Sequence, residues 1–104
     1  NLSHDVYSSA VYSFTKNKTF HIRVDRAYLL PGDSVLIIDD FLANGNAALG
    51  LADIVEQAGA KVAGLGIVIE KGFQNGRERL LERGYHLESL AIIQSIQEGK
   101  IIFA

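Results

Sequence analysis

The sequence predicts an α/β fold: a mostly parallel sheet with flanking helices and an accompanying antiparallel hairpin. Three observations predict it. Two runs of β-branched and aliphatic residues, 35–38 and 62–69, have the continuous apolar character of strands covered on both faces. Between them lies a segment of helical periodicity, about 12 residues and so ~18 Å long at 1.5 Å per residue, enough to carry the chain back for a parallel crossover. Upstream, residues 19–24 alternate strictly between apolar and polar, the period of a half-buried strand.

Taken in order, residues 6–14 are β-branched, aromatic and small, and Lys16-Asn17-Lys18 separates them from the alternating run. In that run Phe20, Ile22 and Val24 are expected to face a core and Thr19, His21 and Arg23 to face water, which makes the pair a hairpin. Pro31-Gly32-Asp33 marks a turn, because proline presets φ and glycine relieves the next position. The strand at 35–38 is expected to end abruptly in Asp39-Asp40. Ala48, Leu51, Ala52 and Val55 then recur at i, i+3, i+4 and i+7, with Asp53, Glu56 and Gln57 on the opposite side, an amphipathic helix ending near Gly59. Residues 62–69 form the second buried strand, where Gly64 and Gly66 share a face and point to close helix packing.

Asn75 followed three residues later by Glu78 has the spacing of a helix-start capping pair, and Leu80 and Leu81 give that short helix an apolar face before Gly84. Phe73 is expected to pack beneath it. Arg77, Arg79 and Arg83 alternate with Glu78 and Glu82, the pattern of a solvated face. Residues 85–93 read as strand, and 97–100 as a turn leading into 101–103.

Composition bounds the function. At 104 residues the chain is one domain at most, and 48% hydrophobic against 21% charged residues is enough to bury a real core. The longest apolar run is broken by glycines and falls short of the ~18 residues of a membrane-spanning helix, so no membrane partner is expected. No basic segment leads into an apolar stretch with a small-residue cleavage site, which makes the cytoplasm the expected location. Without cysteine there is no disulfide framework, thiolate metal site or thiol nucleophile. His4, His21 and His86 lack metal-ligand spacing, and no protein-held metal is expected. A formal net charge of −2 argues against a nucleic-acid-binding surface. The chain has no methionine and begins in mid-pattern, and so reads as part of a larger domain.

In an open parallel sheet, ligands bind beyond the carboxyl ends of the strands, where loops lead into helix N-termini. The segment V-L-I-I-D-D-F-L-A-N-G-N-A occupies that place. Adjacent carboxylates at Asp39 and Asp40 repel one another unless hydroxyl donors or a cation face them. Ala43, Asn44, Gly45, Asn46 and Ala47 offer small side chains and a glycine just before the helix, where backbone N–H groups can converge on one phosphate. Neither G-x-x-x-x-G-K-[ST] nor G-x-G-x-x-G occurs, so the compact carboxylate-then-phosphate pattern suits a ribose 5-phosphate.

This segment resembles the phosphoribosyl diphosphate motif of type I phosphoribosyltransferases. The resemblance implies that Asp39 and Asp40 hold the ribose hydroxyls and that Ala43, Asn44, Gly45, Asn46 and Ala47 hold the 5-phosphate. The family's frequent second loop threonine is missing, with Asn44 and Asn46 in the loop instead, and amide contacts remain. V-Y-S-F-T-K upstream and G-I-V-I-E-K-G-F-Q-N-G-R downstream extend the similarity to the bacterial xanthine-specific branch, over essentially the whole chain. There the resemblance makes Lys71 a donor to the exocyclic oxygen of the purine. It further implies a type I phosphoribosyltransferase-like, Rossmann-like partial domain, the C-terminal part (1–104) of a single enzyme domain, with residues 1–12 the end of the mobile loop and the strand that follows it. The implied reaction joins xanthine to the 5-phosphoribosyl group, with magnesium carried by the phosphoribosyl diphosphate. Asp39 and Asp40 act in it by position and charge near a cationic ribose. The resemblance also implies a homodimer in the cytoplasm, and this half alone is expected to turn over little substrate. The rival reading is a phosphoribosyl-diphosphate-sensing domain of a purine repressor, against which Lys71 argues because a sensor of the sugar phosphate needs no base-reading lysine.

Overall fold

The computed structural model describes residues 5–14 and 16–104; His4 and Thr15, singled out above, lie outside them. Strands β1 (Val6–Ser13) and β2 (Lys18–Asp25) pair antiparallel from Val6↔Asp25 to Ser13↔Lys18. A second sheet runs β3 (Ser34–Leu42), β4 (Lys61–Lys71), β5 (Leu87–Gln97) and β6 (Lys100–Phe103), with the first three parallel and β6 returning antiparallel. Helices α1 (Asn46–Gln57) and α2 (Gly76–Glu82) connect the parallel strands. The predicted hairpin, crossover and C-terminal turn are all present.

Helix α1 lies between the sheet and the hairpin, and so buries two faces rather than one. Ala48, Ala52 and Val55 pack with Ile37, Leu65, Ile67, Leu80 and Leu87, while Ile54 and Ala58 join Tyr7 and Leu29 on the hairpin side. The approach is close: a Cβ on Gly50 would stand 2.4 Å from Val11 Cγ2. Glu56 and Gln57 are exposed as expected, and this polar side also ties the layers together. Gln57 Nε2 donates to Ser8 O at 2.7 Å and to Asp53 Oδ2 at 2.9 Å, and Glu56 accepts from the Tyr85 hydroxyl.

Several expectations are corrected. β3 does not stop at Asp39-Asp40 but runs on to Leu42, because parallel pairing with β4 continues through Phe41↔Ile69 and Leu42↔Glu70. Nor are β3 and β4 covered on both faces, since Leu36, Ile38 and Val68 are 62%, 64% and 44% exposed. The described residues place helices and hairpin on one side only. Gly64 and Gly66 therefore meet no helix; a Cβ at either would meet Leu36 Cδ1 or Ile38 Cδ1 of the neighbouring strand. Ile22 and Val24 pack towards the core as expected, but Phe20 is 37% exposed at the hairpin end, flanked by the ammonium groups of Lys16 and Lys18. Asn75 begins α2 without a side-chain cap, and Phe73 stays half exposed. Among the described residues no helix is long and apolar enough to cross a membrane.

Candidate functional site

Parallel pairing brings the carboxyl ends of β3 and β4 together, with Asp39 opposite Ile67 and Leu42 opposite Glu70. Asp39, Asp40 and Lys71 thus lie at the same end of adjoining strands, and residues 43–47 follow directly from β3. Asp39 is half-buried and Asp40 exposed. Each acid accepts the next backbone N–H at 2.8 Å, Asp39 from Asp40 and Asp40 from Phe41. Burial pushes the Asp39 carboxyl above its usual 3.8; the Asp40 N–H pulls it down, and the neighbouring carboxyl adds to the rise. Such a pair can accept hydrogen bonds from hydroxyl donors.

The loop after β3 turns through Gly45, whose φ of 90° is left-handed and open to glycine at little cost. Leu49 N–H bonds to Gly45 O at 2.9 Å and starts α1. Asn44 Oδ1 accepts from Asn46 N–H at 3.0 Å, and Asn46 Nδ2 donates to Tyr12 O at 2.9 Å. Ala43, Asn44, Gly45, Asn46 and Ala47 line a cavity of about 120 Å³ with Phe41, Leu42 and Ala48. A loop of small residues at the start of a helix can take an anion, because N–H groups and the helix dipole both favour negative charge there.

Lys71 ends β4 with its ammonium 5.9 Å from the Phe41 ring centroid, and so stands beside the strand that carries the two acids. Next to it Glu70 is 2% exposed. Its carboxylate takes Arg77 Nη2 at 2.8 Å, Arg77 Nε at 2.9 Å and Ser89 Oγ at 2.7 Å. Burial pushes the Glu70 carboxyl up, but the Arg77 and Ser89 hydrogen bonds and the guanidinium charge outweigh it and hold the group below its ordinary value.

Sequence reasoning missed this network and took the arginines of α2 for a solvated face. Arg77 and Arg79 are half-buried instead. Arg79 Nη1 donates to Asn44 O at 2.6 Å and to Asn46 Oδ1 at 2.8 Å. Gly76 was missed as well: its N–H bonds to Ala43 O at 2.9 Å, and a Cβ there would fall 2.4 Å from that oxygen. The available signals were a glutamate closing an apolar run and a glycine where a helix begins. Among the described residues no group of three or more His, Cys, Asp or Glu could hold a metal.

No family model matches the chain. It is 57% identical over 103 residues to the xanthine phosphoribosyltransferase of Clostridium novyi and 59% identical over 103 residues to that of Ruminiclostridium cellulolyticum. Each match covers 99% of this chain and 54% of the relative, so the chain spans about half the length of the curated relatives it matches. Its backbone is similar to a crystal structure of adenine phosphoribosyltransferase from Thermoanaerobacter pseudethanolicus, with a TM-score of 0.74 and 30% identity over 85% of this chain and 48% of that one. Over nearly its whole length the chain is thus similar, in sequence and in backbone, to about half of a phosphoribosyltransferase.

Proposed function

We propose that this chain is the C-terminal half of a purine-salvage enzyme that transfers the 5-phosphoribosyl group from phosphoribosyl diphosphate to xanthine. The products are xanthosine 5'-monophosphate and pyrophosphate. The observation that carries the reading is the meeting, at one end of β3 and β4, of two carboxylates, a helix-starting loop of small residues and the ammonium of Lys71. It is supported by the names of the relatives, which are transferases and do not favour the sensing alternative.

In this reading Asp39 and Asp40 accept the ribose hydroxyls, the amides of residues 43–47 hold the 5-phosphate, and Lys71 donates to the purine's exocyclic oxygen. A ring nitrogen of the base attacks the anomeric carbon as the bond to pyrophosphate breaks, and magnesium enters and leaves on the phosphates of substrate and product. The acids position the sugar and offset the positive charge that develops on it. The reading carries with it a cytoplasmic homodimer with small-molecule partners only.

The test is calorimetric titration of the chain with phosphoribosyl diphosphate and magnesium, beside the Asp40→Asn and Gly45→Val variants. Binding to the parent, weakened at least about tenfold in both variants, is the expected result. A folded parent that binds nothing would sink the proposal for this chain. Turnover is expected only when the other half of the domain is supplied, as a separate polypeptide or by fusion.

A further inference from the structure

Loop 43–47 is held from behind by α2 at two successive carbonyls. Ala43 O accepts the Gly76 N–H at 2.9 Å, and Asn44 O accepts Arg79 Nη1 at 2.6 Å. In a trans peptide the C=O and the following N–H point in opposite directions, and no cis bond occurs among the described residues. Drawing these carbonyls towards α2 therefore turns the N–H groups of Asn44 and Gly45 away from it. Neither amide makes a hydrogen bond among the described residues. The same Nη1 holds Asn46 Oδ1 at 2.8 Å, and Asn46 Nδ2 reaches Tyr12 O at 2.9 Å, so the first residue of α1 is pinned between α2 and the hairpin.

We propose that Arg79 is a positioning residue for the phosphate-binding loop: by clamping the Asn44 carbonyl and the Asn46 carboxamide, it aims the Asn44 and Gly45 amides at the 5-phosphate. The inference rests on the functional reading above and adds to it a residue outside the loop and the acid pair. Preorganised donors bind an anion without the cost of ordering the loop on arrival. Arg77 acts from the same short helix on Glu70, the neighbour of Lys71. One element thus braces both the sugar-phosphate end and the base end of the site.

Because a single nitrogen makes both contacts, a lysine ammonium can replace it and a methionine cannot. Both residues are good helix formers, so α2 itself is preserved. The experiment compares the parent chain with Arg79→Met and Arg79→Lys, each shown to be folded by circular dichroism. It measures ribose 5-phosphate affinity by calorimetry and, without ligand, backbone order parameters of Asn44 and Gly45 by nitrogen-15 relaxation. Arg79→Met is expected to weaken ribose 5-phosphate at least about tenfold and to lower the loop order parameters from about 0.85 towards 0.6. Arg79→Lys is expected to restore most of both. Asn46→Ala removes one acceptor without touching α2 and is expected to loosen the loop likewise. Unchanged affinity and unchanged order in Arg79→Met and Asn46→Ala would overturn the clamp. A parent chain that fails to bind ribose 5-phosphate would instead overturn the functional reading, and the order parameters would still decide whether Arg79 holds the loop.

Discussion

Asp39 and Asp40 are chemically alike and adjacent, yet the fold treats them differently. Asp39 is half-buried with its carboxyl raised, whereas Asp40 is exposed. Replacing Asp40 with Asn removes a neighbouring negative charge while keeping the backbone N–H that bonds to Asp39 Oδ1. The Asp39 midpoint, followed by carboxyl carbon-13 shifts, is therefore expected above 3.8 in the parent and lower in Asp40→Asn. An Asp39 midpoint unmoved by the substitution would mean that burial and the Asp40 backbone N–H set it without the neighbouring carboxyl. Glu70 carries the opposite sign. Its folded-state value lies below the ordinary 4.5, so its pairing contributes stability that is fully present above 4.5 and is lost as pH falls through the depressed value. Arg77→Met leaves a buried carboxylate with Ser89 as its remaining side-chain donor, and hydrogen bonds to charged groups are worth about 1.5–3 kcal/mol. Urea unfolding at pH 7 is expected to register a loss of that size, shrinking at pH below the Glu70 midpoint where the carboxyl is neutral. A constant loss across that range would assign the effect to packing by the arginine stem.

At the scale of elements, α2 is a seven-residue helix whose worth lies in what its start touches. The backbone of Gly76 abuts the loop so closely that Gly76→Ala would drive a methyl into Ala43 O. Overpacking of this kind costs about 1–3 kcal/mol, and thermal denaturation is expected to show it together with weakened ribose 5-phosphate binding. Full stability in Gly76→Ala would mean that α2 can retreat from the loop without consequence. The same element marks the limit of what the sequence made legible. Strand periods, the crossover helix and the Gly99 turn could be read because each is a local pattern, set by side-chain alternation or by a backbone angle that glycine adopts. The acids and the small-residue loop stood out by residue type and order, and the fold places them together at the end of β3. Arg77 and Arg79 could not be read, because their charge pattern is that of any solvated helix. Only the fold carries them to partners 7 and 35 residues away in the chain, at Glu70 and Asn44. The end of β3 was misread for a related reason: two aspartates look like a strand terminus, but ladder pairing with β4 holds them extended.

The whole molecule is layered on one side only. Hairpin and α1 cover one face of the four-stranded sheet, while the other presents Leu36, Ile38, Val68 and Leu90, the last 86% exposed. Buried parallel strands ordinarily have both faces covered, and a continuous apolar run such as 35–38 is the sequence of a strand built for that condition. Relatives about twice as long have chain enough for a second cover, which the described residues do not supply. A contiguous apolar face of this kind drives association when left in water. Sedimentation velocity across a concentration series is accordingly expected to show self-association of the isolated chain. The doubly substituted Ile38→Lys, Leu90→Lys chain, altered on that face alone, is expected to sediment as a monomer. If the chain is half of a larger domain, as proposed above, adding the other half should have the same effect on the unsubstituted chain by occupying the face. A parent chain that stays monomeric throughout would mean that the two-sided sequence of the central strands tolerates water on one side, and that the second cover contributes less to solubility than its area implies.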